Sequence, residues 1–389
     1  MTSKERILAI LNNKKPDRVP WSPLLGAHFI NAQEKEIRDL GIIGLWKELN
    51  IDIIDRETAN AYSSRSKNVN VKTFINGKQI DIPEEKDNWK AEVSEIYLMY
   101  KYTEFSVKKI EKYFETPVGT LKSAYINTPS SKTVFQNEYY IKKEEDIKSL
   151  EFMYKNLEYF SVYDDIKESE NKIGEDGIVA AGVRGSPAIE LIEEYMGPER
   201  FLLFLHDYPE KMKSLMELMQ EKDLEACEIA AKSPCPLLVI WEDTGTGLYS
   251  PKIFDEFVAP AIKANVEIAH KYNKKIYIHS CGLLRDIMDS LINTGIDGIM
   301  DMTPGPIGNI GFLETRKKIG NDIVLSGGID ANILNSNDKG LIREKVISML
   351  NDMKPYGNFI LGSGDSVPAS TPLKNLELIQ KIVKEEGCY

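Results

Sequence analysis

The stretch from Pro236 to Gly282, "PLLVIWEDTGTGLYSPKIFDEFVAPAIKANVEIAHKYNKKIYIHSCG", decides the fold. It opens with an apolar run, 236–243, that ends in two acids, and closes with a second run, 275–282, that ends in His-Ser-Cys-Gly. Short apolar runs bounded by polar or glycine residues read as buried strands. Between them, residues 250–272 carry helical spacing, with Ser250 placed to cap and Pro251 at the favoured first helical position. Two strands joined by a crossover helix pair in parallel.

The unit recurs along the chain. Apolar runs of this kind occupy 19–25, 51–58, 177–185, 236–243, 275–282, 295–303, 322–330 and 358–365, and helix-like segments separate most of them. Eight strands alternating with helices predict a (β/α)8 barrel of the TIM type. Residues 59–176 interrupt the series after the second strand. Within them "TPVGTLKSAYINTPSSKTVFQNEYYI", 116–141, reads as antiparallel hairpin, because β-favouring residues flank the turn-forming "NTPSS". The expected organisation is a single domain over 1–389, with 59–176 as an insertion on the barrel rim.

Composition narrows the function classes. The chain has 389 residues, 42% hydrophobic and 28% charged, enough to build a large core, and no apolar stretch approaches the length of a membrane span. A formal charge of -11 with no basic cluster argues against nucleic acid as a partner. The start, "MTSKERILAILNN", reads as an amphipathic helix with Thr2 and Glu5 in capping-box spacing rather than as a secretory signal, so a cytoplasmic protein is expected. Four scattered cysteines are too few for a disulfide scaffold in so long a chain. Cys227 reads as a small buried hydrophobe, Cys235 has no partner at ligand spacing, and Cys388 reads as a tail residue.

In a barrel of this type chemistry sits where strands end. The strand ends here carry Asp55, Glu57, Glu242, Asp243, Asp301, Asp330 and Asp365. His279 and Cys281 differ from these, because residues i and i+2 of a strand face the same side, so an imidazole and a thiol converge on one point. Zinc accepts that combination readily. Two ligands alone do not define a site, and the spacing leaves open both a metal pair and a hydrogen-bonded core histidine. Trp241, Tyr62 and Tyr249 stand near strand ends where they could line a substrate pocket. His28, Arg184, Asp301 and Asp330 are further candidates for substrate contact. The glycines of "LSGGID" match no phosphate-binding fingerprint and read as a tight turn.

The segment "IYIHSCGLLRDIMDSLINTGIDGI" resembles the His-x-Cys-Gly segment of the corrinoid-dependent methyltransferases within the uroporphyrinogen decarboxylase superfamily. So, in order, do "KERILAILNNKKPDRVP", "TPVGTL", "LYSPKIFDEFVAPAIK", "LSGGID" and "ILGSGDSVPASTPLKNL". The resemblance implies a (β/α)8 barrel with zinc at its mouth, ligated by His279 and Cys281. Where the thiol-methylating branch carries a third ligand, a cysteine, this chain has Asp365. Glu242 is the candidate for a fourth ligand, and Glu242 and Asp243 are the candidate catalytic carboxylates. A carboxylate in place of a thiolate leaves a harder, more oxygen-seeking ion. That favours transfer of a methyl group from a small methylated donor, such as a methyl ether, to the Co(I) of cobalamin carried by a partner corrinoid protein. The alternatives are transfer from a methylcorrinoid to a thiol or pterin, and a barrel that only binds. Decarboxylation of uroporphyrinogen is disfavoured, because "WSPLLGAHFINAQEKE" lacks the arginines that would hold a polycarboxylate.

Overall fold

The computed structural model describes residues 1–80, 108–127 and 134–389. Fourteen strands are found among them: β1 (Ile53–Asp55), β2 (Tyr62–Ser66), β3 (Asn70–Ile75), β4 (Lys78–Ile80), β5 (Lys109–Thr116), β6 (Gly119–Asn127), β7 (Val134–Glu138), β8 (Leu157–Ser161), β9 (Gly177–Val183), β10 (Leu237–Trp241), β11 (Lys275–His279), β12 (Gly298–Met302), β13 (Val324–Ile329) and β14 (Phe359–Ser363). The chain divides into two compact units. The first comprises Met1–Ala61, Tyr163–Gly185 and Ala230–Tyr389, and the second Tyr62–Val162 and Ser186–Ile229.

The first unit holds one parallel sheet in the order β1-β9-β10-β11-β12-β13-β14. Seven of the eight apolar runs are these strands. Residues of β12, β13 and β14 are buried throughout, as parallel strands covered on both faces should be, which is why they read as continuous apolar runs. The eighth run lies between the two end strands. Ser22 N–H donates to Leu361 O and Leu361 N–H to Pro20 O, both at 2.9 Å, while Asp52 N–H donates to Trp21 O at 2.8 Å. Pro20 and Pro23 have no N–H to give, so this segment joins its neighbours through isolated bridges and not a regular ladder. The sheet is thereby closed as a TIM-type barrel.

Alternate residues fill the barrel: Ile178 and Ala180 from β9, Leu237 and Val239 from β10, with Ile54, Tyr277, Met300, Val324 and Ile360. The helix Ser3–Leu11 plugs the end where strands begin, inserting Ile7, Ile10 and Leu11 into the same core. Its capping box forms as expected from Thr2 and Glu5. A buried charge cluster ties this helix to the closing segment and to β1. The fully buried Asp52 accepts from Arg6 Nη1 at 2.6 Å, Arg18 Nη1 at 2.9 Å and Trp21 N–H at 2.8 Å.

The helix read at 250–272 is present with Ser250 as its cap, but it widens to a π-helical turn over Phe254–Val258 before continuing as Ala259–Lys271. Pro260 explains the widening, since its ring would meet the carbonyl four residues back in a regular helix. In the second unit, β4-β3-β5-β6-β7 form an antiparallel sheet and β2 pairs with β8. The hairpin read in 116–141 appears as β6 paired with β7; its "TPSS" turn lies outside the described residues. Ile110, Phe114 and Leu121 of that sheet are buried, and the helix Ile147–Lys155 buries Ile147, Leu150 and Met153. Among the described residues no helix is long and apolar enough to cross a membrane.

Candidate metal centre at the barrel mouth

The group that gathers at the strand ends of the first unit is built from neighbouring strands. β10 and β11 pair in register with Trp241 opposite His279. Asp243 and Cys281, each two residues further on, come out on the same side as those two. Their loops are pressed together backbone to backbone: a Cβ on Gly282 would lie 2.5 Å from Thr244 O, and one on Gly245 2.7 Å from Leu283 N. Thr246 N–H donates to Leu283 O at 3.1 Å. Only glycine permits that approach, and the approach sets Asp243 beside Cys281.

Asp243, His279 and Cys281 each offer one ligand atom, and these atoms all lie within 4.8 Å of one another. His279 Nε2 is 2.7 Å from Asp243 Oδ1, and Cys281 Sγ is 3.7 Å from the same oxygen. On the far side of the ring, Nδ1 is 2.6 Å from Asp301 Oδ2. His279 and Asp301 are buried, whereas the Asp243 side chain is 47% exposed, so the group opens to solvent on the carboxylate side. Nitrogen, thiol and carboxylate donors within this reach suit zinc, and an imidazole whose second nitrogen is held by a carboxylate is the usual form of a zinc-bound histidine. The residues therefore fit the metal that the family resemblance implies.

Charge organises the group. Burial lowers the basicity of His279, but the carboxylates of Asp243 and Asp301 outweigh it and hold the imidazolium well above the usual histidine range. Burial would raise Asp301, but Arg56 and His279 hold it well below the usual carboxylate range. Burial pushes the Cys281 thiol up against the opposing pull of His279, and pushes Asp365 up as well.

The other candidates fall in varied places. Asp365 stands at the edge of the group, its Oδ1 3.9 Å from His279 Nε2. Its backbone has φ +125°, a conformation that side chains other than glycine's rarely tolerate. Glu242 does not join the group. Strand alternation turns it away from Asp243, and it is fully buried with Tyr249 Oη donating to it at 3.1 Å. Asp243 thus takes the place expected of Glu242. Tyr249 is itself 3% exposed and bonded to Thr244 Oγ1 at 2.6 Å, so it braces the loop and does not line an open pocket. Trp241 lies with its ring 5.3 Å from that of His279.

Asp301, expected to face substrate, is 1% exposed and sits behind His279. A bulge puts it there: Ile299 pairs with Leu325 but Met302 with Gly327, leaving an extra residue in β12, and Asp301 has φ +60°. The glycines of "LSGGID" form no turn, and Gly327 serves this bulge. They lie inside β13, and a Cβ on Gly327 would meet Met302 O at 2.4 Å. Asp330, another expected substrate group, uses Oδ1 to cap the helix Ala331–Leu334 through Asn332 N–H. Asp55 is buried and accepts from the N–H groups of Glu57 and Thr58. His28 donates from Nε2 to Val367 O at 2.8 Å, bracing the segment that follows Asp365. Arg184 is half-buried just beyond β9. Tyr62 belongs to the second unit and packs edge-on against Tyr159. Cys227 and Cys235 are buried, and burial pushes their thiols up to about 12 and about 11, so they are inert.

One residue of the site escaped the sequence reading. Arg56 donates from Nη1 and Nη2 to the two oxygens of Asp301, at 2.6 and 2.7 Å. The signal for it was a basic residue between two acids at a strand end, in "IIDRET".

The family model of uroporphyrinogen decarboxylase (URO-D) matches residues 126–386. The chain belongs to the uroporphyrinogen decarboxylase family. Among relatives in that family, the uroporphyrinogen decarboxylase of Rickettsia bellii is 26% identical over 253 residues, which span 63% of this chain and 71% of that protein. That of Trichodesmium erythraeum is 28% identical over 149 residues, 37% of this chain and 39% of the relative. Among solved structures, a methyltransferase from Methanosarcina mazei aligns over 99% of both chains with a TM-score of 0.59 at 14% identity. The family expectation drawn from the sequence holds, and the methyltransferase shares the fold.

Proposed function

We propose that this member of the family is a zinc-dependent methyltransferase. It moves a methyl group from a small methylated donor, such as a methyl ether, to the Co(I) of cobalamin on a partner corrinoid protein. The observation that carries this reading is the convergence of Asp243, His279 and Cys281 on one point, with His279 oriented from behind by Asp301. These three residues would hold the ion, and Asp365, whose Oδ1 lies 3.9 Å from His279 Nε2, would add a fourth donor. An ion held there would supply Lewis acidity toward the oxygen or nitrogen that leaves the methyl group. One thiolate among nitrogen and carboxylate donors suits that hard role better than activation of a bound thiol.

The chain's own residues do the rest. Trp241 gives the site an apolar wall beside His279. The Asp243 and Asp365 side chains are half-exposed and open the site to solvent, whereas Asp301 is sealed away and acts only through the imidazole. The relatives named above are decarboxylases, and two features oppose that activity here. The strand ends present Asp243 and Asp365, which repel a polycarboxylate. The guanidinium of Arg56 is taken up by Asp301.

The test is a methyl-transfer assay with free Co(I) cobalamin across methyl ethers, methylamines and methylthiols, run beside a uroporphyrinogen decarboxylation assay. Transfer from an oxygen- or nitrogen-bound methyl, abolished in Cys281→Ser, is the expected result. Decarboxylation without methyl transfer would refute the reading.

A further inference from the structure

The carboxylate behind His279 is itself held by a residue outside the metal-binding group. Arg56 directly follows β1, while Asp301 lies in β12, four strands along the sheet, so the contact reaches across the barrel interior. The Arg56 side chain is 3% exposed. Its two terminal nitrogens engage one oxygen each of Asp301, and Nη1 also lies 3.6 Å from Met300 Sδ. The Trp241 ring covers the guanidinium at 5.3 Å, and the same ring lies 5.3 Å from that of His279.

A buried ion pair of this kind adds little net stability, because desolvating both charges offsets their attraction. What a two-point guanidinium clamp does provide is a fixed plane. Oδ1 of Asp301 is taken by Nη2, and Oδ2 is shared between Nη1 and His279 Nδ1. With both oxygens engaged, the carboxylate cannot rotate about its χ2 axis. We propose that Arg56 is a positioning residue. By locking the plane of Asp301 it fixes the imidazole of His279, so that Nε2 faces Asp243 and Cys281. The consequence for metal binding rests on the zinc reading above, whereas the restraint on the ring holds for the metal-free chain as well.

Two variants separate this role from charge balance. Arg56→Lys keeps the cation and loses the fork. Arg56→Met/Asp301→Asn removes both charges, so that no buried ion is left unpaired. Two measurements apply to each. The first is proton exchange at His279 Nδ1–H in metal-free protein, by NMR with labelled histidine; the chain has four histidines, so assignment by a His279 variant is direct. The second is zinc affinity by competition with a chelator.

In wild-type protein the Nδ1–H should be protected from exchange. In Arg56→Lys it should exchange faster, and zinc should bind about 10- to 100-fold more weakly, the range for loss of an outer partner of a metal-bound histidine. In the double variant an amide oxygen can still accept from Nδ1–H but is no longer clamped, so the proton should again exchange faster than in the wild type. Wild-type exchange in a folded Arg56→Lys protein would overturn the proposal, whatever its zinc content. A wild-type chain that takes up no zinc would instead count against the proposed function, and the exchange measurement would still decide the role of Arg56.

Discussion

At the scale of single residues, the metal-free site is a set of protons waiting to be displaced. His279 is held protonated by Asp243 and Asp301, and Cys281 stays a thiol because burial raises it. Zinc binding should therefore release roughly two protons near neutral pH, since both ligands bind deprotonated. Calorimetry in buffers of different ionisation enthalpy measures this number. The pH slopes have opposite signs. A histidine whose folded pKa is raised contributes stability that is complete below its ordinary value and is lost as pH rises through the raised one. Metal-free protein should therefore lose stability on the alkaline side, while zinc affinity increases over the same range. Denaturant titration with and without zinc checks both slopes, and parallel slopes would contradict the assignment.

Asp365 gives a second test at this scale. With φ +125° it holds a conformation natural to glycine. Asp365→Gly should stabilise the metal-free chain by about 1 kcal/mol, by relieving strain of the order known for such residues. If Asp365 is a fourth donor, the same change should weaken zinc binding. Much at this scale was legible beforehand. The pairing of His279 with Cys281 follows from strand alternation alone, and the opposite facing of Glu242 and Asp243 follows from the same rule. The alternation could not say which of the two faces the histidine; that depends on the registration of β10 with β11, in which Trp241 lies opposite His279. Arg56 and Asp301 are joined across 245 positions, a pairing that no local pattern encodes.

At the scale of elements, glycines at points of close approach decide where the ligands stand. The contact of Gly245 with Gly282 sets the β10 and β11 loops against each other, and Gly327 admits the backbone of the bulged β12. Gly282→Ala should leave a folded barrel with reduced zinc content, because its Cβ would have to push away the Thr244 carbonyl and with it the neighbouring Asp243. Metal analysis together with circular dichroism distinguishes this from unfolding. The strands themselves were legible because they are short, apolar and buried on both faces. The bulge was not, because its cause is the fit of one backbone against another. The π-helical turn before Pro260 is an intermediate case: the proline was visible, but whether the helix would break or widen depended on its packing.

At the scale of the whole molecule, barrel closure depends on the irregular segment around Trp21, held from below by Asp52 with Arg6 and Arg18. Asp52→Ala would take the shared partner from the buried Arg6, which keeps only Asp17, and from the half-buried Arg18, and a loss of about 3 kcal/mol is expected, measurable by urea unfolding. Closure was legible as an eighth apolar run, and its irregularity was foreshadowed by two prolines. Family membership was legible in the order of motifs along the chain. The choice between methyl transfer and decarboxylation within that family comes down to the chemistry of the strand ends, where a histidine, a thiol and a carboxylate meet.

Whether these three groups hold zinc is read from the zinc content of the purified protein by elemental analysis. Close to one zinc per chain in the wild type, with little in Asp243→Ala and Cys281→Ser proteins that remain folded, is the result expected. A wild-type protein free of zinc even after incubation with the metal, or one whose zinc survives both substitutions, would show that Asp243, His279 and Cys281 do not hold it.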